Sequence, residues 1–297
     1  MRGISIQRLA TVFLVVILAA AGVLAGGQGK GAPPPAFRLY VFDCGTLHFT
    51  NADTYRLKVE EVANTDMSMG CFLVVHPRGT LMWDTGAIVD GSWKPTGSPV
   101  RMQIKLTDGQ DRDVTMRKTL AEQLASAGFS PANITYLALS HYHWDHIANA
   151  NAFAKSAWLA RKVERDLMFA TPPPERSNPA NYSALKNSKT KVLDKNDFDV
   201  FGDGKVVLKL AAGHTPAHQV LSVQLPKTGR VVIAGDLYHY PEERTLHRIP
   251  TRDFNPDQTA ASRAAIDAFL KQTGAQLWIQ HDFAAAAKLK KAPEYYE

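Results

Sequence analysis

His141-Tyr142-His143-Trp144-Asp145-His146 puts three imidazoles and a carboxylate into six consecutive residues. Apolar Leu137, Ala138 and Leu139 lead into it, and a stretch of helical character follows from Ile147. A loop between a strand and a helix can aim such side chains at one point. Neutral imidazole nitrogens and carboxylate oxygens are the ligands that zinc and similar divalent ions take. A solvated polar loop with accidental histidines is the alternative, and the rest of the chain argues against it.

A centre for two ions needs about three protein ligands per ion plus a bridging group. One hexapeptide cannot supply them all. Gly213-His214-Thr215-Pro216 follows the apolar run Val206–Leu210. Ala234-Gly235-Asp236 ends the run Val231-Val232-Ile233, and Gln280-His281-Asp282 ends Gln276-Leu277-Trp278-Ile279. Each candidate ligand stands just past a β-rich run, where α/β folds collect their functional groups. Alone, His214 reads equally well as a capping histidine; in this series it reads as a ligand. Asp84, in Trp83-Asp84-Thr85-Gly86, is either a turn aspartate or the partner that orients a ligand histidine through its other ring nitrogen. The second reading is preferred. His218 reads as a packing or hydrogen-bonding histidine, and His48, His76 and His247 have no motif around them.

The order H-x-H-x-D-H, then His, Asp and His, resembles the metal signature of the metallo-β-lactamase superfamily. That resemblance implies an α/β fold, the αβ/βα sandwich of two mixed sheets flanked by helices. It implies His141, His143 and His214 around one divalent ion, Asp145, His146 and His281 around a second, and Asp236 between them. Zinc is the expected metal. His143 stands where flavodiiron proteins carry a carboxylate, which favours hydrolysis over redox chemistry. Sixteen residues (297 − 281) follow His281, too few for the helical domain of glyoxalase II-like enzymes.

Within the superfamily the chain resembles the N-acyl-homoserine lactonases. The match lies in Trp83-Asp84-Thr85-Gly86, Ser140 to His146, Gly213 to Pro216, Gln280-His281-Asp282 and the tail Ala292-Pro293-Glu294-Tyr295-Tyr296. The resemblance implies lactone opening by a metal-bridging hydroxide, with Asp145 returning a proton to the leaving oxygen. Trp144 occupies the place of an aromatic residue near the substrate; core packing explains it equally well. The family's catalytic tyrosine, three residues after the bridging aspartate, is His239 here. Tyr238 and His239 are therefore the candidates for its role. The alternatives are a dimetal esterase or phosphotriesterase-like hydrolase, and a metal-binding protein without turnover.

Composition bounds the rest. Arg2 and Arg8 flank a basic start, Leu9 to Leu24 is nearly continuously apolar, and Val23-Leu24-Ala25 offers a cleavage site. This predicts a signal peptide over residues 1–25. The apolar run falls short of the ~20 residues that span a bilayer, so no stable membrane anchor is expected. A Gly/Pro-rich tether over 26–36 and one hydrolase domain over 37–297 complete the chain, which is read as periplasmic or secreted. The formal charge is +6, or +4 without Arg2 and Arg8 (6 − 2). No dense basic block points to nucleic acid. A small lactone or ester is the expected partner. Cys44 and Cys71 either pair in an oxidising compartment or remain as buried thiols.

Turn signals and periodicity place the elements. Phe37–Phe42 reads as a strand, and Cys71–Val75 with Thr80–Trp83 as a hairpin around Pro77-Arg78-Gly79. Ala87–Arg112 reads as a long polar loop, and Val114–Ala127 as an amphipathic helix stopped by Gly128. Ile134–Leu139 is the strand that delivers the metal motif. Ala157–Ala160 is a strand and Arg161–Phe169 a helix, broken at Thr171-Pro172-Pro173-Pro174. Strands ending near Leu210, Leu225 and Ala234 follow, then a helix over Asp257–Gln272 and a last strand over Gln276–Gln280.

Overall fold

Side chains alternate across a strand with a period of two, and this alternation sorts the core into layers. The computed structural model describes residues 37–106 and 109–297. The expected signal peptide and tether lie outside the described residues. The strands are β1 Arg38–His48, β2 Met67–His76, β3 Gly79–Trp83, β4 Val100–Lys105, β5 Asp111–Met116, β6 Tyr136–Ala138, β7 Ala157–Arg161, β8 Thr190–Leu193, β9 Asp197–Asp199, β10 Val206–Leu210, β11 Gln219–Leu225, β12 Gly229–Ile233, β13 Gln276–Trp278 and β14 Tyr295–Tyr296. One sheet runs β4-β5-β1-β2-β3-β6-β7-β8, with β14 pairing β1; the other runs β13-β12-β11-β10-β9. Both are mixed: β3, β6, β7 and β8 are parallel, as are β12 and β13, and the remaining pairs are antiparallel.

Leu39 and Val41 of β1 face the second sheet, in one core with Trp83, Leu208, Leu221 and Ile233. Tyr40 and Phe42, one residue out of phase, join Leu73, Met82, Leu137 and Trp158 in a core under the first helical layer. Val220 and Val232 turn the other way, onto Ile266 and Leu270 of the helix Pro256–Thr273. Helix, sheet, sheet, helix is therefore the order of layers, as the resemblance implied. β2 is buried along almost its whole length, because both faces of its sheet are covered.

Several expected elements change. Val114–Ala127 is not one helix: β5 ends at Met116 and the helix is Leu120–Ser126. Val114 and Met116 are two apart, the period of a strand, and Thr119 caps the helix by accepting from the Glu122 N–H at 3.1 Å. The expected loop Ala87–Arg112 contains β4, where Val100, Met102 and Ile104 alternate with exposed neighbours. The strand at Gln276 ends at Trp278, and β14 follows it, pairing Tyr296 with Leu39. The short strands β8 and β9 carry no sequence signal strong enough to announce them. Cys44 and Cys71 lie on neighbouring β1 and β2 and form a disulfide. No helix of the described residues is long and apolar enough to cross a membrane.

Candidate metal centre

Every expected ligand leaves the C-terminal end of a strand at the same edge of the sandwich. β6 delivers Ser140 to His146, the β10–β11 turn delivers His214, β12 delivers Asp236, and β13 delivers His281. Two glycines allow the close approach. Gly213 has φ +136°, and a Cβ there would meet the Thr259 backbone nitrogen at 2.2 Å. Gly235 has φ +51°, and a Cβ would meet His218 Nε2 at 2.6 Å.

The side chains form two groups. His141 Nε2 lies 2.7 Å from His143 Nδ1, which lies 2.9 Å from His214 Nε2. Asp236 Oδ2 closes this group, 3.2 Å from His214 Nε2. Asp145, His146 and His281 form the second group. Asp236 Oδ1 stands 2.9 Å from His146 Nε2 and 3.0 Å from His281 Nε2. One carboxylate thus turns one oxygen to each group. Asp145 Oδ2 is 3.6 Å from His281 Nε2.

Most of the imidazoles are fixed from behind. His141 Nδ1 meets Ser140 Oγ at 2.9 Å, His281 Nδ1 the Ser68 carbonyl at 2.7 Å, and His214 Nδ1 Asp253 Oδ1 at 2.9 Å. His146 Nδ1 meets Asp84 Oδ2 at 2.8 Å, so Asp84 does orient a histidine of the cluster. Asp84 also accepts from the Ser140 N–H at 2.7 Å and from Gln280 Nε2 at 2.9 Å, which ties three strand ends together. Such partners select the tautomer that presents the other nitrogen.

The donor set fits cations. His146 Nε2 and Asp236 Oδ1 are buried and, although 2.9 Å apart, do not meet in hydrogen-bond geometry, and buried polar atoms left without a well-aligned partner are costly. Burial lowers the pKa of His141 and His143 well below the ordinary value, which keeps both in the neutral, ligating form. Burial also opposes charge on His146, yet the carboxylates of Asp236, Asp84 and Asp145 outweigh it and raise its pKa. A field that favours a proton at this point favours a metal ion there too. Burial would raise Asp236; the surrounding imidazoles prevail and hold it well below the carboxylate range.

His218 is outside both groups. Its Nε2 accepts from the Asp236 N–H at 2.9 Å and its Nδ1 donates to the Ala211 carbonyl at 3.0 Å, so it holds the turn of Asp236. His239 is at the site, its Nε2 3.1 Å from Asp236 Oδ2. Burial lowers its pKa, but Asp236 and Glu243 outweigh that and raise it to about 10. Tyr238 is a correction. Its ring packs with Ile266 and Leu270 beneath Arg263, and its hydroxyl lies 3.5 Å from Asp267. Residues 238 and 239 project to opposite sides of the chain, so only His239 reaches the centre.

A cavity of about 180 Å³ opens onto both groups, lined by Trp144, Asp145, Asp236, His239 and His281 among others. Trp144 lines this cavity and also packs in the core under the helices. Sequence reading missed Asp253 behind His214, Tyr55 packed against His239 with ring centroids 4.6 Å apart and planes tilted by 49°, and the cavity arginines. Tyr240, the residue after His239, donates its hydroxyl to the Thr65 carbonyl at 2.7 Å. A larger cleft of about 420 Å³ beside the helix Phe283–Lys288 holds none of the seven donor residues.

Two donor groups sharing one carboxylate, at the mouth of an αβ/βα sandwich, define a protein built to hold a pair of divalent cations. The family model described as the metallo-beta-lactamase superfamily matches residues 71–276. The chain belongs to that superfamily. It is similar to the N-acyl homoserine lactonase AttM of Rhizobium johnstonii, at 25% identity over 268 residues, 87% of this chain and 98% of that one. The lactonase AiiA of Bacillus thuringiensis subsp. kurstaki is 24% identical over 235 residues, 77% of this chain and 87% of its own length. A solved structure of a B. thuringiensis AiiA mutant, with N-decanoyl-L-homoserine at its active site, aligns with a TM-score of 0.71 at 20% identity, over 88% of this chain and 99% of that one. AidC, a dizinc quorum-quenching lactonase, aligns with a TM-score of 0.61 at 22% identity, over 88% and 96%. Both structures agree with this chain in fold.

Proposed function

We propose that the protein is a metal-dependent hydrolase that opens the lactone ring of N-acyl-homoserine lactones, with zinc as its metal. The observation that carries this is Asp236 turning one oxygen to each of two buried groups of imidazole and carboxylate donors, at the wall of a cavity. His141, His143 and His214 would hold one ion, Asp145, His146 and His281 the other, and Asp236 both. Two bound divalent cations supply Lewis-acid polarisation of a carbonyl and hydroxide near neutral pH.

The chain's own residues do the rest. Asp145 lines the cavity and is the group that returns a proton to the leaving alkoxide oxygen. His239 stands in the place of the family's tyrosine and donates an N–H to the substrate carbonyl oxygen. Glu243 accepts from the backbone N–H of His239 at 3.1 Å and is itself paired with Arg263, both buried. That pair holds His239 in place. Trp144 walls the cavity and excludes water. The apolar start of the chain and the disulfide also support action outside the cytoplasm, after removal of residues 1–25.

The reading is tested on protein purified without chelator. Metal analysis is expected to approach two zinc ions per chain, and chelation should abolish lactone opening until zinc is returned. Dimetal protein that leaves acyl-homoserine lactones intact while cleaving aryl esters or phosphotriesters would replace the lactonase reading with the esterase one. A metal content near zero after zinc supplementation would remove both.

A further inference from the structure

The cavity over the donor groups backs onto the larger cleft beside the helix Phe283–Lys288. Three pairs of consecutive residues divide between the two. Met67, His239 and His281 line the cavity, while their neighbours Asp66, Tyr240 and Asp282 line the cleft. The partition is therefore a single chain thick at each of these places. Two rings complete it: Tyr55 lines the cavity, Tyr240 lines the cleft, and they meet edge to face with centroids 5.1 Å apart. We propose that Tyr55 and Tyr240 set the chain-length limit of the substrate: their ring pair stops the cavity short of the cleft, so that the enzyme takes N-acyl-homoserine lactones with short acyl chains. This rests on the lactonase reading of the same site.

Three observations carry it. The first is volume. The cavity holds about 180 Å³ and the cleft about 420 Å³, against the about 300–1,000 Å³ of ordinary ligand pockets. The cavity by itself suits a lactone head, its amide and a few carbons. Joined to the cleft, it would lie well inside the ordinary range.

The second is surface. Apolar side chains flank Tyr55 on the cavity side. Leu47 pairs with Met67 across β1 and β2, and Phe49 stands edge-on to Tyr55 with centroids 6.5 Å apart. Pro241, Leu277, Ile279, Phe283 and Leu289 line the cleft on the other side. A hydrocarbon tail crossing the wall would gain about fourfold for each methylene buried. The ring pair withholds that gain.

The third is rigidity. Both rings are buried. The Tyr240 hydroxyl donates to the Thr65 carbonyl at 2.7 Å, which ties its ring to the loop before β2. Tyr55 has His239 against it, and its turn is held from outside by the Thr251 N–H, which donates to the Thr54 carbonyl at 2.8 Å. Rings packed on several sides and hydrogen-bonded in place do not yield gradually to a tail.

The test is the chain-length profile of the zinc-loaded full chain on N-butanoyl-, N-hexanoyl- and N-dodecanoyl-homoserine lactone. For the unchanged protein kcat/KM should level off by hexanoyl, with dodecanoyl within about threefold of it. Tyr55→Ala with Tyr240→Ala should raise the dodecanoyl-to-hexanoyl ratio at least about tenfold, the effect of burying two further methylenes. Tyr240→Phe keeps the ring and should keep the parent ratio. Should the double variant not fold, Tyr55→Leu alone removes one ring and should still raise the ratio. The corresponding non-hydrolysable γ-lactams give a binding readout by calorimetry, with the same ratios expected in their affinities. A kcat/KM that climbs steadily to dodecanoyl in the unchanged protein, or a ratio that the ring-removing variants leave alone, would overturn the inference while lactone hydrolysis stands. Lactam affinities that follow the expected pattern with no lactone opened would support the wall and sink the lactonase reading instead.

Discussion

His214 shows what one residue needs in order to act as a ligand. Its Nε2 faces the cluster because Asp253 holds Nδ1 at 2.9 Å, and Thr259 Oγ donates to the other Asp253 oxygen at 2.7 Å. The imidazole and Thr259 hold Asp253 below the carboxylate range despite its burial. Asp253→Ala removes the restraint on the ring. The expected result is a 10- to 100-fold loss of metal affinity, the usual effect of deleting a partner behind a ligand histidine, read by chelator competition. Unchanged affinity would show that the turn alone holds His214. Asp84 was legible because it ends a strand in a motif, and counting three residues on from Asp236 found His239. Asp253 was not legible: thirty-nine residues separate it from His214, in a polar stretch without a pattern. Tyr238 was misread for a related reason, since a motif offset gives a position along the chain and not the direction of a side chain.

Among elements, the helix Lys162–Met168 has a part in the centre that its sequence hides. Glu164 reaches from it to accept from the Ala217 N–H at 2.9 Å and from the Thr215 hydroxyl, so it sets the turn that carries His214. Its other oxygen is buried and unpartnered, and burial raises its pKa to about 7 from the ordinary 4.5. Between these values the folded chain binds more protons at this site than the unfolded chain does. Glu164 therefore contributes stability that grows as pH falls from about 7 towards 4.5 and is lost as pH rises through 7. Glu164→Gln should remove that slope. The unfolding free energy of the unchanged protein relative to the variant should fall by at most about 3 kcal/mol between about pH 5 and pH 8; a difference that stays flat would show that Glu164 does not titrate there. Periodicity read the longer elements well. Val206–Leu210, Gln219–Leu225 and Pro256–Thr273 emerge near their expected places. It failed at β4 and β5, where an edge hairpin of alternating polar residues looks like loop, and at β8, β9 and β14, which are too short to show a period.

At the scale of the whole molecule, the two-sheet plan was available from the order of the ligand motifs, while its seams were not. The sheets meet at the site through contacts between distant segments: Ser68 Oγ donates to the Gln280 carbonyl at 2.9 Å, and Gln219 Nε2 to the Leu139 carbonyl at 2.9 Å. The disulfide braces the same region. Gly86, two residues after Asp84, packs so close to Cys44 that a Cβ on it would approach the Cys44 Cβ at 3.0 Å. The Ala87 N–H donates to the Cys44 carbonyl at 3.4 Å. The loop that aims Asp84 at His146 thus rests on a cross-linked pair of strands. Closing 27 residues of sequence separation stabilises a folded chain by about 3.5 kcal/mol, provided the compartment oxidises thiols. Protein recovered from the periplasm or medium should therefore begin after Ala25 and lack free thiols, both measurable by intact mass before and after alkylation. Cys44→Ser with Cys71→Ser should lower the unfolding free energy by about that amount at equal zinc loading. It should also weaken zinc retention in chelator competition, because the loop under Asp84 is loosened. An intact Met1 start on cytosolic protein, or a double variant as stable as the parent, would separate the disulfide from both export and the centre.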